Sequence, residues 1–156
     1  MNHADYMREA IKLSEQGMQE GHGGPFGAVV VKNGGIIGRG FNRVITSNDP
    51  TAHAEVTAIR DACKFLNHFQ LDNCVIYTSC EPCPMCMGAI YWARPAAVYY
   101  ANLRTDAAGI GFDDEFIYQE IGLPLNNRKL LMIPLLRDEA LPAFAKWQKM
   151  GGKKVY

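Results

Sequence analysis

Histidine, glutamate and cysteine side chains occur in this sequence at spacings that suit a metal site. One residue separates His53 from Glu55, and Cys83 and Cys86 follow later in the chain as a C-x-x-C pair. One imidazole and two thiolates make a ligand set that tetrahedral zinc accepts well, and three protein ligands leave a fourth position for water. The pattern therefore predicts one Zn²⁺ ion per chain, bound by His53, Cys83 and Cys86.

The local elements around these residues favour the same ligand set. Pro84 suits the first position of a helix, so that Cys83 becomes the N-cap and Cys86 lies one turn further along. Both sulfur atoms can then point to one spot beyond the helix N-terminus, whose positive end favours thiolates over thiols. Glu55 lies two positions from His53 and does not face the same way on a helix, which makes it a poor fourth ligand. It can reach the open position from the side, where a proton shuttle is needed.

Cys80 leaves two other interpretations open, because Cys80 and Cys83 form a second C-x-x-C pair. Cys80 could complete a closed structural zinc site with four protein ligands, or it could belong to a redox pair. A fourth protein ligand would close the site to water, and a redox pair would leave His53 and Glu55 without a role. We therefore favour the open catalytic site, with Cys80 as a small packed residue at the end of a strand.

The composition predicts a single globular domain over residues 1–156. Apolar residues make up 48% of the chain, and sixteen Lys and Arg balance sixteen Asp and Glu. Zero net charge provides no general attraction for polyanions, which disfavours a dedicated nucleic-acid or membrane-surface protein, and it favours self-association. An odd count of five cysteines suits a reducing compartment, with Cys63 and Cys74 as core residues. With no secretory signal and no membrane span in the pattern, we expect a cytoplasmic protein.

Helix and strand patterns alternate through the middle of the chain. Helices are predicted over residues 3–20, after Pro50, from Pro84 to before Pro95, over 115–121 and over 142–150. Strands are predicted over residues 27–31, 35–41, 74–78 and 97–100. Asn33-Gly34 predicts a hairpin between the first two strands, and the glycine-containing segment 102–112 is predicted to be a loop. The alternation predicts an α/β fold with a mixed sheet.

The order H-x-E followed by P-C-x-x-C resembles the signature of zinc-dependent deaminases, in the cytidine deaminase superfamily. Within that superfamily the chain looks like the bacterial guanine deaminases. The similar stretches are Gly23–Ala28, Ser47–Glu55, Thr78–Cys86, Tyr91–Pro95, Gly111–Asp114 and the terminal Tyr156. The resemblance implies a three-layer α/β/α sandwich with a central mixed five-stranded sheet, a homodimer, and hydrolysis of guanine to xanthine and ammonia in purine salvage or catabolism.

The resemblance also implies roles for residues beyond the zinc ligands. Glu55 would take a proton from the water and pass it to a ring nitrogen, and Asp114 would meet the N–H donors of guanine or assist proton transfer. Contacts to the base are expected from the Phe26 ring, the Asn42 amide, the Ala54 N–H, Trp92 and Tyr156. By residue type alone, Phe26 could equally be a core aromatic, Asn42 a turn residue, and Asp114 a helix cap.

Residues 140–156 are expected to form a C-terminal helix and tail that close the active site, and the segment could be exchanged with a partner subunit. Other functions stay open at this point. A tRNA adenosine deaminase shares the zinc core, although Lys146, Lys149, Lys153 and Lys154 are the basic residues of the tail and the chain is otherwise neutral. A deaminase of another free base, such as cytosine, is a second alternative. A zinc-stabilised binding module is a third, but such a module has no need of Glu55.

Overall fold

Four strands form the central sheet of the protein, whose computed structural model describes residues 1–156. They are β1 (Gly27–Lys32), β2 (Gly35–Phe41), β3 (Val75–Cys80) and β4 (Ala97–Asn102). The spatial order is β2-β1-β3-β4. β1 pairs antiparallel with both β2 and β3, whereas β3 and β4 are parallel. The predicted α/β fold with a mixed sheet is therefore confirmed.

The prediction of a five-stranded sheet is wrong, because the sheet has four strands. After β4 the chain continues into helices, and the apolar residues 131–136 form no strand. A strand needs a neighbour that accepts and donates its backbone hydrogen bonds, and this segment has no such neighbour within its own chain.

The chain divides into two compact units, Met1–Asp114 and Glu115–Tyr156. The helices of the first unit are α1 (His3–Gln19), α2 (Val44–Ser47), α3 (Ala54–Leu66), α4 (Pro84–Ala93) and α5 (Arg104–Gly109). The second unit contains α6 (Glu115–Gly122), a 3₁₀ turn (Leu125–Asn127) and α7 (Arg137–Lys149). No helix combines the length and the apolar character needed to cross a bilayer.

The two faces of the sheet carry separate apolar clusters, because alternate side chains of a strand point to opposite faces. Val29 and Val31 of β1 pack with Tyr6 of α1 on one face. Ala28 and Val30 lie on the other face, in a cluster with the small buried residues of α3 and with Ile90 of α4. A Cβ atom at Gly40 of β2 would overlap the Ala54 carbonyl oxygen. The glycine therefore lets the start of α3 approach the sheet closely, which places His53 and Glu55.

The helices differ from the sequence prediction in three places. The predicted loop 102–112 contains α5, since Gly109 is the last helical residue and Gly111, with φ of +97°, lies just beyond the helix. A glycine in a left-handed conformation commonly terminates a helix rather than excluding one. α7 begins at Arg137 instead of Pro142, and this proline lies inside the helix. The short helix α2 was not predicted.

Candidate metal centre and active site

Two helix N-termini bring the predicted metal ligands together. His53 is the N-cap of α3, Cys83 is the N-cap of α4, and Cys86 lies in the first turn of α4. The Nδ1 atom of His53 lies 3.5 Å from the Sγ atoms of both Cys83 and Cys86. Zinc bonds of about 2.0–2.3 Å in a tetrahedron place neighbouring ligand atoms roughly 3.6 Å apart. The donor set and its spacing therefore fit zinc.

The electrostatics of these ligands favour a negative sulfur atom. The pKa of Cys83 is lowered to about 4, first by the hydrogen bond from Cys86 and then by His53. The hydrogen bond with Cys83 in turn raises the pKa of His53, against the opposing effect of burial. Cys83 also lies at the positive end of α4, which stabilises a thiolate. A cation is the natural partner for this group.

Glu55 lies beside the metal ligands rather than among them. The ligand atoms of His53, Cys83 and Cys86 form a group within 4.8 Å of one another, and Glu55 is outside that group. Its Oε2 atom is 3.3 Å from Cys86 Sγ, while its Oε1 atom accepts a hydrogen bond from Thr78 at 3.1 Å. Burial raises the pKa of the Glu55 carboxyl group, whose residue is only 5% exposed. A carboxyl group that holds a proton more readily is suited to proton transfer.

Cys80 takes no part in the metal group. It is the last residue of β3, is buried, and its Sγ atom lies 3.7 Å from the Leu103 carbonyl oxygen. Burial raises the pKa of this thiol to about 11, so that the neutral form is favoured. The arrangement matches the open three-ligand site and not the closed four-ligand alternative.

An aromatic pair and a buried amide lie near the start and end of the first sheet hairpin. The ring of Phe26 meets that of Phe112 edge to face, with centroids 5.0 Å apart. A Cβ atom at Gly24 would lie 2.7 Å from the Phe112 ring, so the pair needs glycine there. Buried Asn42 accepts a hydrogen bond from the Val44 N–H at 3.1 Å. This bond assigns Oδ1 and leaves the amide NH₂ group as a donor.

Asp114 is half-buried at the end of the first unit. Burial raises the pKa of its carboxyl group, and the positive charge of Arg104 opposes that shift. Glu81, from the loop before Cys83, accepts a hydrogen bond from the Arg104 backbone N–H at 3.1 Å and faces its side chain at 3.8 Å. The surroundings of Asp114 are thus connected to the loop that carries the metal ligands.

The other predicted contact residues lie in different settings. Ala54 is fully buried as the first residue of α3, where a backbone N–H has no acceptor within the helix. Trp92 lies on α4 with 63% of its surface exposed, and Tyr156 belongs to the second unit. Sequence reasoning did not single out Thr78, Phe112 or Arg104. Thr78 and Phe112 do fall within the stretches that carry the resemblance, which was the available signal.

A family model of the cytidine and deoxycytidylate deaminase zinc-binding region matches residues 1–102. The chain belongs to this deaminase family. Among its relatives, the guanine deaminase of Bacillus subtilis (strain 168) is 57% identical over 156 residues, which is the whole of both chains. The X-ray structure of the Bacillus subtilis guanine deaminase superposes with a TM-score of 0.97 and covers 100% of this chain and 99% of that chain.

More distant deaminases match less of the chain. The tRNA-specific adenosine deaminase of Aquifex aeolicus (strain VF5) is 36% identical over 105 residues, which is 67% of this chain and 69% of that protein. A structure of guanine deaminase from Nitrosomonas europaea is 32% identical, with a TM-score of 0.69, and covers 72% of this chain and 65% of that one. The match to the Bacillus subtilis guanine deaminase extends over the whole chain and so includes the second unit.

Proposed function

We propose that this protein hydrolyses guanine to xanthine and ammonia. The observation that carries the proposal is the 57% identity to a guanine deaminase along the whole of both chains. The match to a tRNA-specific adenosine deaminase covers 67% of the chain and so supports the shared zinc chemistry more than the choice of substrate.

His53, Cys83 and Cys86 would hold the zinc ion. When bound, zinc acts as a Lewis acid that lowers the pKa of a water molecule to about 7. Glu55 takes one proton from this water and delivers it to the ring nitrogen beside the amino-bearing carbon of guanine, which makes that carbon a better electrophile. The water oxygen bonds to that carbon, and Glu55 then carries the second proton of this oxygen to the amino group, so that the C–N bond breaks and ammonia leaves as the carbonyl group of xanthine forms.

The remaining residues of the site would orient the base. Phe26, whose ring lies nearly perpendicular to that of Phe112, offers a stacking surface for a planar purine. The NH₂ group of Asn42 and the N–H of Ala54 are donors for ring nitrogen or carbonyl acceptors. Asp114 accepts from the N–H and amino donors of guanine, so that the site offers both donors and an acceptor to the base.

We also propose a homodimer in which residues 140–156, with Tyr156 and with Trp92 of α4, close the pocket through an exchanged C-terminal segment. In the second unit no side chain is buried, and Leu131, Leu135 and Phe144 are each at least 77% exposed. So much exposed apolar surface favours burial against another copy. Both units would then work as one deaminase domain of residues 1–156. The five free cysteines support a cytoplasmic location.

The test is ammonia release by the zinc-loaded protein across guanine, adenine, cytosine, guanosine and cytidine, with inosine formation in tRNA measured in parallel. Guanine is expected to be turned over fastest, with xanthine as its product. The same protein stripped of zinc serves as the control. Salt-dependent inosine formation in tRNA together with inert guanine would overturn the proposal, and so would preferential turnover of cytosine.

A further inference from the structure

A buried threonine links the proposed proton shuttle to the strand that leads into the metal loop. Thr78 lies in β3 and is 1% exposed. Its Oγ1 atom is 3.1 Å from Glu55 Oε1 and 3.0 Å from the carbonyl oxygen of Cys80. The threonine hydroxyl has one proton, for which these two oxygen atoms are both acceptors, and a carboxylate is a stronger acceptor than a neutral carbonyl group.

We propose that Thr78 is a positioning residue, which holds the Glu55 carboxyl group through Oε1 and thereby presents Oε2 to the reacting water. The inference rests on the proposed role of Glu55. Oε2 is the oxygen that faces the metal ligands, since it lies 3.3 Å from Cys86 Sγ. With Oε1 occupied as an acceptor, a proton taken from water resides on Oε2 and leaves from the same atom towards the base.

The contact can do this because both of its ends are rigidly supported. A β-branched side chain has few χ1 rotamers, and Thr78 is held in the middle of the sheet between β1 and β4. Glu55 is in the first turn of α3 and is almost completely buried. An acid–base group that is held in its productive orientation transfers protons faster than one that samples several orientations.

Two substitutions at position 78 distinguish the contribution of the hydroxyl group from the contribution of side-chain packing. Valine keeps the branched shape and removes the hydroxyl, whereas serine keeps the hydroxyl and removes the methyl group. Ser79→Ala is the matched control, because Ser79 is the next residue of β3 and its buried hydroxyl accepts from the Gly27 N–H at 3.0 Å without contacting Glu55. Each full-length variant is compared for kcat and KM with guanine, for zinc content and for thermal unfolding.

Thr78→Val is expected to lower kcat by about 10- to 100-fold, the cost of one hydrogen bond to a charged group, while KM and zinc content stay near the wild-type values. Thr78→Ser is expected to keep kcat within about threefold of wild type. Ser79→Ala should lower the unfolding temperature without lowering kcat. Wild-type kcat in Thr78→Val would overturn the inference, and so would an equal loss in Thr78→Ser, which would assign the effect to packing.

A parallel measurement on Glu55→Gln distinguishes a failure of this inference from a failure of the proposal on which it rests. Normal turnover by Glu55→Gln would show that Glu55 is not the proton shuttle. Lost turnover in Glu55→Gln beside an unimpaired Thr78→Val would contradict the role of Thr78 alone. In the Glu55→Gln background, adding Thr78→Val should change the residual kcat by less than about twofold, because the two residues act through one contact. An additive loss in the double variant would show that Thr78 acts elsewhere.

Discussion

The two units of the chain differ in how they bury apolar residues, although both are rich in them. In the first unit, Val30 and Ile76 are fully buried on one face of the sheet, and a second cluster occupies the other face. In the second unit, Leu131 is 78% exposed and Phe144 is 77% exposed, and no side chain is buried. Apolar side chains form a core only where elements stack in layers. Two helices, a 3₁₀ turn and an extended segment provide no such layers, so the apolar side chains of the second unit stay exposed.

The first helix of the chain and the last helix differ in how the backbone N–H groups of their first turns are satisfied. α1 begins with a capping box, in which Asn2 and Asp5 each accept a hydrogen bond from the backbone N–H of the other. α7 begins after Leu136, which has a left-handed φ of +54° and no side-chain cap. A capping box satisfies backbone donors that otherwise have no partner, and it stabilises the helix start without tertiary contacts. The start of α1 is therefore stabilised by its own side chains, whereas the start of α7 is not.

The largest effect is expected at Glu55, which belongs to the first unit. Glu55→Gln should lower kcat for guanine by about 10²- to 10⁴-fold, because glutamine cannot carry the proton. Xanthine formation and zinc content are measured together, and zinc content should not change. Asp61→Asn is the control on the same helix, where Asp61 accepts from the Arg39 N–H. More than a tenth of wild-type turnover in Glu55→Gln would refute the shuttle role.

A substitution in the core tests how far the first unit is self-sufficient. Ile76→Ala should lower the free energy of unfolding by about 2–5 kcal/mol, because it leaves a cavity in a fully buried cluster. Denaturant unfolding at several protein concentrations measures the effect. The loss should be the same at each concentration. A loss that grows on dilution would mean that the first-unit core also depends on association.

A charge introduced into the second unit is expected to weaken the proposed homodimer rather than to lower the stability of the first unit. Ile133 is 72% exposed, and Ile133→Asp should weaken the homodimer by at least tenfold in Kd, since the new carboxylate would have to be buried in the interface. Sedimentation velocity across a dilution series measures this effect, and zinc content checks that the first unit stays intact. Asp138→Asn, at a side chain 97% exposed, is the control. An unchanged Kd would show that Ile133 takes no part in the proposed dimer interface.

The smallest expected effect concerns the end of the chain. Tyr156→Ala should lower kcat/KM for guanine by about tenfold, the cost of one aromatic contact and its hydrogen bond, while zinc content stays unchanged. Steady-state assays with guanine measure the change, and Lys154→Ala is a control two residues away. If Tyr156→Ala is as active as Lys154→Ala, the Tyr156 side chain takes no part in catalysis.

Several features of the fold and site could be read from the sequence because they depend on residues close together in the chain. Asn33-Gly34 connects β1 to β2 and Pro84 makes Cys83 the N-cap of α4, both as predicted, and Asn2 caps α1 from the residue before its first turn. The ligand types and the spacing of Cys83 and Cys86 were sufficient to predict a zinc site. In these cases a few consecutive side chains and backbone groups determine the local geometry.

Other features required the tertiary structure, because they depend on which distant residues meet. The number of strands depends on which segments pair with one another, and the hydrogen bond from Thr78 to Glu55 joins residues 23 positions apart. The Phe26–Phe112 pair has the same origin, since it joins residues from distant parts of the chain. The sequence by itself determined the metal-binding chemistry and the helix that presents it. Only the packing of α3 against the sheet decided what holds the proposed proton shuttle in place, since packing brings together groups that no short segment contains.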